Sequence, residues 1–69
     1  MTYTIKEMSE LTGLPASTLR YYDKQGLLPN LKRDGNNIRI FTDDDYASLR
    51  LIDCLKRSGL SIKGIKKFI

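Results

Sequence analysis

One short segment of the chain carries several side chains that donate hydrogen bonds to anionic oxygens. The segment "PASTLRYYDKQ", residues 15–25, holds two hydroxyls, a guanidinium, two phenols and an ammonium. Neighbouring residues on a helix point about 100° apart, so Tyr21 and Tyr22 cannot share one face. Leu19 and Tyr22 lie three apart, and we expect them to face the core. The opposite face then presents Ser17, Thr18, Arg20, Tyr21 and Lys24.

Such a face suits a polyanion. Hydroxyl and phenol groups donate to phosphate oxygens, and arginine reaches phosphates or guanine edges. The basic residues between Ser17 and Phe41 are Arg20, Lys24, Lys32, Arg33 and Arg39, against the carboxylates Asp23 and Asp34. The whole chain has 12 basic and 8 acidic residues, a net charge of +4. These charges predict a nucleic-acid contact, although from the residues alone a solvated surface is an equal alternative.

The residues that catalytic and metal sites need are scarce. One cysteine and no histidine leave neither an intramolecular disulfide nor a His/Cys metal cluster. A nucleophile would have no histidine as its base, so we expect no enzyme activity and no cofactor. Asp43, Asp44 and Asp45 suit the first turn of a helix better than a magnesium site. Cys54 falls within an apolar band and is expected to be a small core residue.

Local signals predict two short helices at the start of the chain. Thr4 and Glu7 have the spacing of a capping box, which places the beginning of the first helix. Gly13 is expected to end it, and Pro15 to begin a second helix that ends near Gly26. Two short helices joined by a tight turn containing glycine are typical of a helix-turn-helix.

A hairpin and two further helices follow. The segment "NLKRDGNNIRIF" has strand-forming residues on both sides of four turn formers, Asp34–Asn37. Thr42 is expected to cap a third helix that ends before Gly59, and Ser61 to begin a fourth helix that carries Ile62, Ile65 and Ile69. The order helix, helix, hairpin, helix, helix predicts a mainly α fold with a small β-hairpin, the winged helix-turn-helix.

The chain is expected to be one domain. Its 69 residues allow no more, and no apolar run approaches membrane-spanning length. A cytoplasmic protein with a reduced thiol is the expectation. Because the fourth helix shows no cap before Ile69, we expect the chain to be part of a longer protein.

Taken together, these segments resemble the DNA-binding domain of the MerR family of bacterial transcription regulators. The family pattern contains T-x-R-Y-Y-x-x-x-G-L-L, a wing of the form R-x-x-x-x-Y-R-x-Y, and a helix ending near L-x-x-x-G-x-S. Here the three motifs are "TLRYYDKQGLL", "RDGNNIRIF" and "LKRSGLS". The match covers essentially the whole chain, and the combination of motifs is specific.

The resemblance implies DNA-binding roles for particular residues. Arg20 and Tyr21 match residues that meet the groove and the phosphates. Arg39 matches a wing arginine that holds the DNA backbone, and Lys56 matches a phosphate contact near a second wing. The wing departs from the family pattern where its two tyrosines are replaced by Ile38 and by Phe41, which keeps a ring without a hydroxyl. The expected DNA contacts are therefore Ser17, Thr18, Arg20, Tyr21, Lys24, Arg33, Arg39 and Lys56.

The resemblance also implies partners. Members of the family bind a near-palindromic operator as homodimers, and they bend and untwist the promoter so that RNA polymerase can use it. Their dimerising helix and effector domain follow this region, so we expect the 69-residue chain alone to be monomeric. Two alternatives stay open: a stand-alone excisionase-like protein that bends DNA, and a winged-helix protein-interaction module, which would need an exposed apolar patch instead of a basic helix and wing.

Overall fold

Four helices and a three-stranded antiparallel sheet make up residues 1–68, the part of the chain that the computed structural model describes. In chain order the elements are β1 (Thr2–Tyr3), α1 (Ile5–Thr12), α2 (Ala16–Lys24), β2 (Lys32–Arg33), β3 (Arg39–Thr42), α3 (Asp43–Arg57) and α4 (Ile62–Phe68). The predicted winged helix-turn-helix is confirmed, with β1 as an added strand. Ile69, assigned from sequence to the fourth helix, lies outside the described residues.

The first two helices begin and end where the local signals placed them. Thr4 Oγ1 accepts the Glu7 amide at 3.1 Å, and Glu7 Oε1 accepts the Thr4 amide at 2.9 Å, so the capping box is complete. Gly13 follows α1 with φ 74°, and Gly26 follows α2 with φ 79°. Both lie in the left-handed region that glycine enters without a steric penalty, which ends each helix sharply.

The strand β3 is the centre of the sheet, whose order is β1-β3-β2. Tyr3 pairs with Phe41 on one side of β3, and Arg33 pairs with Arg39 on the other. The sequence analysis did not predict β1, because two residues are too few to show an alternating pattern. Through β1 the start of the chain is held beside the wing.

The wing is the hairpin formed by β2 and β3, and its turn is closed by side-chain hydrogen bonds. Asp34 Oδ1 accepts the amides of Asn36 at 2.8 Å and Ile38 at 3.0 Å. Asn37 has φ 62°, a conformation that asparagine tolerates better than most residues. The predicted turn is therefore confirmed, and its backbone is held in one arrangement.

The core takes side chains from all four helices and from β3. Leu19 and Tyr22 of α2 are buried, as the helical pattern predicted. Phe41, matched from sequence to a wing tyrosine, is completely buried, so its ring packs inside the domain and is not offered to a ligand. The buried hydrophobic residues are Met8, Leu19, Tyr22, Leu27, Leu28, Phe41, Leu49, Ile52 and Ile65.

The expectation that Cys54 is a core residue is wrong, because Cys54 is exposed. Leu49 and Ile52 are the buried positions of α3. Cys54 lies two residues beyond Ile52, about 200° around the helix, and therefore faces away from the core. Leu51 is likewise 41% exposed.

In residues 1–68, no helix has the length and apolar character needed to cross a membrane.

The aspartates at the start of α3 have structural roles. Asp45 is 2% exposed, and its Oδ2 accepts hydrogen bonds from the Thr42 amide at 2.8 Å and the Thr42 hydroxyl at 3.1 Å. This second capping box explains a buried carboxylate without a metal. Asp43 instead reaches the first strand, where its Oδ1 accepts the Tyr3 hydroxyl at 2.7 Å and its Oδ2 lies 3.3 Å from the Met1 ammonium.

The contact between Tyr3 and Asp43 predicts a measurable effect of pH. The hydrogen bond to Asp43 raises the pKa of Tyr3, and the same bond, helped by the Met1 ammonium, lowers the pKa of Asp43. The Asp43 contribution to stability is therefore complete above the unfolded-state pKa and is lost as pH falls through the lowered folded-state pKa. The Tyr3 contribution is complete below its unfolded-state pKa and is lost as pH rises through the raised one.

Replacing Asp43 by asparagine should move the Tyr3 titration back towards the ordinary tyrosine range, because the charged acceptor is gone. Ring-carbon NMR shifts of Tyr3, followed against pH, give the midpoint. Asp44→Asn is the matched control, since Asp44 is exposed and makes the same change one residue along the helix. An unchanged Tyr3 midpoint in Asp43→Asn would show that the contact is absent in solution.

Candidate nucleic-acid interface

The two adjacent tyrosines of α2 have opposite environments. Tyr22 is 3% exposed and packs in the core, whereas Tyr21 is 46% exposed. Their ring centroids are 6.1 Å apart and the ring planes are inclined by 52°. The burial predicted for Tyr22 is confirmed, and Tyr21 presents an amphipathic ring and a hydroxyl on the outer face of the helix.

An open groove separates the outer face of α2 from the wing, and we call it the α2–wing cleft. Its volume is about 440 Å³. The residues that line it are Ser17, Arg20, Tyr21, Asp23, Lys24, Arg33 and Arg39. Six of the eight residues predicted to bind DNA therefore come together on one surface, although they are spread over two helical turns and a hairpin.

The structure does not bring the other two predicted residues into the cleft. Thr18 is half-buried on α2, between the outer face and the core. Lys56 is on α3, and its Nζ lies 5.8 Å from the centroid of the Tyr22 ring, a cation–π contact. Lys56 is thus close to α2, but it lies outside the groove that holds the other candidates.

Asp23 is the cleft residue that sequence reasoning missed. Its Oδ2 accepts a hydrogen bond from Arg39 Nε at 2.7 Å and another from Arg33 Nη2 at 2.9 Å. In the sequence analysis Asp23 counted only as an opposing charge. No local signal could have linked it to arginines 10 and 16 residues further along the chain.

The charges in the cleft fall into two groups. Arg33, Arg39 and Asp23 form a linked set with one net positive charge. Arg20 and Lys24 form no ion pair with any residue of the described part of the chain. The cleft therefore offers two unpaired cations next to hydroxyl donors, which suits a string of phosphates rather than covalent chemistry.

The helix pair, the turn and the adjoining wing define a winged helix-turn-helix domain with a basic cleft between its second helix and its wing. More narrowly, the chain belongs to the MerR HTH family of regulatory proteins, whose family model matches residues 3–69. This agrees with the resemblance that the sequence motifs showed.

Similar proteins carry the names of regulators. An uncharacterized HTH-type transcriptional regulator of Haemophilus influenzae is 53% identical over 68 residues, which cover 99% of this chain and 50% of that protein. AdhR of Bacillus subtilis, also an HTH-type transcriptional regulator, is 36% identical over 64 residues, covering 93% and 46%. The chain thus spans about half the length of the curated relatives it matches.

A solved structure is similar over the same region. It is the crystal structure of HiNmlR, a MerR family regulator lacking the sensor domain, bound to promoter DNA. Its TM-score is 0.93 at 53% sequence identity, and the match covers 99% of this chain and 54% of that chain. The fold described above is therefore that of a MerR-family domain.

Proposed function

We propose that this domain binds double-stranded promoter DNA in a sequence-specific manner, as the DNA-binding part of a bacterial transcription regulator. The observation that carries the proposal is the α2–wing cleft, in which Arg20 and Lys24 are unpaired among the described residues and lie beside the wing arginines. The similarity to HiNmlR, which was crystallised on promoter DNA, supports it.

In the proposed complex α2 lies in the major groove, which is about 12 Å wide and admits a helix. Arg20 would donate two hydrogen bonds to a guanine edge. Hydroxyls of Ser17, Thr18 and Tyr21 would donate to backbone phosphates, and Lys24 would add a cation. In this arrangement Arg20 would recognise a base, and the residues around it on α2 would fix the register of the helix on the DNA backbone.

The wing would hold the backbone. Arg33 and Arg39 present planar guanidinium groups that match phosphate oxygens in pairs. Lys56 lies outside the cleft, so we assign it a contact with a phosphate of the flanking DNA rather than of the segment read by α2. Backbone contacts of this kind fix orientation and contribute most of the salt dependence.

Other functions fit the cleft less well. A protein-interaction module would present apolar side chains where the cleft has cations and hydroxyls. Since the relatives are named as regulators, we infer a binding protein and not an enzyme. An excisionase-like protein that bends DNA without recruiting polymerase would use the same cleft. It would differ from a transcription regulator in its effect on transcription from the bound DNA.

We further propose that the whole protein acts as a homodimer in the bacterial cytoplasm, where promoter DNA lies. One winged domain neutralises few phosphates, so its binding alone is weak. Joining two domains makes the second half-site an intramolecular encounter, and a two-fold axis then requires symmetric half-sites. Bending and untwisting of that DNA would make the promoter usable by RNA polymerase. The 69-residue chain should sediment as a monomer.

A salt titration tests the proposed DNA binding. We expect the chain to enrich a duplex from a random-sequence pool and to prefer it over a scrambled duplex of the same composition. The logarithm of the binding constant should fall linearly with the logarithm of salt, by about 0.9 for each phosphate contact. Polyglutamate is the control for simple attraction to negative charge. Failure to discriminate between the two duplexes would contradict sequence-specific binding.

A further inference from the structure

One carboxylate links the second helix to both strands of the wing. Asp23 belongs to α2, Arg33 to β2 and Arg39 to β3, and a single oxygen, Asp23 Oδ2, accepts from both guanidinium groups at 2.9 and 2.7 Å. The Asp23 side chain is 16% exposed. Because this side chain is largely shielded from water, its charge-assisted hydrogen bond to Arg39, which is 25% exposed, holds a geometry that fully exposed ion pairs do not.

Each of the three groups would be poorly placed without the others. Asp23 stands in the last turn of α2, where the helix dipole disfavours a negative charge. Arg33 and Arg39 are direct partners across the β2–β3 pair, and like charges opposite one another repel. The attraction between the Asp23 carboxylate and the two guanidinium groups offsets both penalties. Residues that are unfavourable in their own helix or strand, and are compensated only by contacts with another element, are expected where function constrains the sequence.

Buried Phe41 and the pairing with β1 anchor β3, but the outer strand β2 is exposed and pairs with β3 alone among the described strands. The strand β2 has two residues, and a hairpin of this size is marginal on its own. Arg33 also donates from Nη1 to Asn37 Oδ1 at 3.3 Å, within the wing turn. Asp23 therefore connects α2, both strands and, through Arg33, the turn.

We propose that Asp23 is a positioning residue for DNA recognition, which holds Arg33 and Arg39 against α2 so that helix and wing meet the duplex as one rigid unit. This inference rests on the proposed function. With the arginines fixed, their phosphate contacts form only when α2 is in register with its bases. Once released, the same arginines can attach to any phosphate backbone, at the usual entropic cost of ordering them. Asp23 thus favours the correct duplex over others.

The test is Asp23→Asn, measured on two probes: the duplex that the wild-type chain enriches from a random pool, and its scrambled version. The variant gains one net positive charge in the cleft, so its salt slope on the scrambled duplex should steepen by about 0.9, and binding there should tighten roughly threefold to tenfold at moderate salt. The ratio of the affinity for the enriched duplex to that for the scrambled duplex should fall about tenfold, which is comparable with the effect of one mismatched base pair.

Asp53→Asn is the matched control. It makes the same change of charge and removes another ion pair to arginine, between Asp53 and Arg57 at 3.2 Å, away from the cleft. Its affinity ratio should equal that of the wild type. Asp23→Glu keeps the carboxylate and should recover most of the discrimination that Asp23→Asn loses.

A second measurement needs no DNA. The Arg39 Nε–H should show a rigid ¹⁵N heteronuclear NOE in the wild type and in Asp53→Asn, and a mobile one in Asp23→Asn. If Asp23→Asn fails to fold, Arg39→Lys keeps the charge, removes the Nε contact and should lower the affinity ratio in the same way.

The outcomes separate the two proposals. An unchanged affinity ratio in Asp23→Asn, or an Arg39 Nε–H that stays rigid in it, would overturn the role of Asp23 and leave the proposed function standing. A wild-type chain that enriches no duplex even at low salt, where the weak binding of a single domain is measurable, would overturn the proposed function and this inference with it.

Discussion

Replacing Tyr22 by alanine should destabilise the domain severely, by about 3–5 kcal/mol, the usual cost of removing a buried aromatic ring. The ring is 3% exposed, packs with the core residues and lies beneath the Lys56 ammonium. In a domain of this size each kcal/mol shifts the melting temperature by about 4–8 °C, so the loss should reach at least about 12 °C. Thermal unfolding followed by circular dichroism measures it.

The neighbouring tyrosine provides the control. Tyr21→Ala truncates the same type of side chain one residue earlier, where it is 46% exposed, and should change stability by no more than about 0.5 kcal/mol. That variant should instead lose DNA affinity. Tyr22→Phe keeps the ring and should stay close to the wild type in stability. A stable Tyr22→Ala together with an unfolded Tyr21→Ala would reverse the assignment of the two rings.

Replacing Arg20 by alanine should produce the largest loss of specific DNA binding, about 1–3 kcal/mol if the side chain contacts a guanine through two hydrogen bonds. Arg20 is exposed in the α2–wing cleft and has no ion pair among the described residues, so its removal leaves no buried partner unsatisfied. The loss should therefore appear in affinity and not in stability. Fluorescence anisotropy with the enriched and scrambled duplexes measures it.

Two further variants sharpen the Arg20 experiment. Arg20→Lys keeps the charge but cannot make the paired contact, so it should bind the scrambled duplex like the wild type and still lose preference for the enriched one. Arg57→Ala removes an exposed arginine from outside the cleft and should leave the preference intact. Equal preference in Arg20→Ala and the wild type would exclude Arg20 as a reader of bases.

Features that depend on neighbours in sequence could be predicted. The capping box at Thr4, the cap at Thr42 and the glycine after α1 involve groups within four residues of one another, so the residue types alone indicate them. The same holds for the opposite faces of Tyr21 and Tyr22, which follow from the helical repeat.

Features that depend on contacts between residues far apart in the sequence could not be predicted. The strand β1 exists because Tyr3 pairs with Phe41, and the proposed role of Asp23 depends on arginines of two strands, β2 and β3. Cys54 was misplaced because the apolar band of α3 is wider than its buried face, and only packing decides which residues of the band are covered. The sequence grouped Arg20, Tyr21 and Arg39 as expected DNA contacts, and the structure shows that they line one cleft, whereas the hydrogen bonds from Arg33 and Arg39 to Asp23 are visible only in the structure.

The short outer strands of the sheet also bear on how the protein behaves at high concentration. Exposed strand edges are templates on which other chains can add and aggregate. Here both edges are only two residues long, and β2 presents Lys32 and Arg33, both exposed. A second molecule would gain few backbone hydrogen bonds there and would meet repulsion between like charges. The basic residues of the wing should therefore also keep concentrated samples from assembling into fibrils.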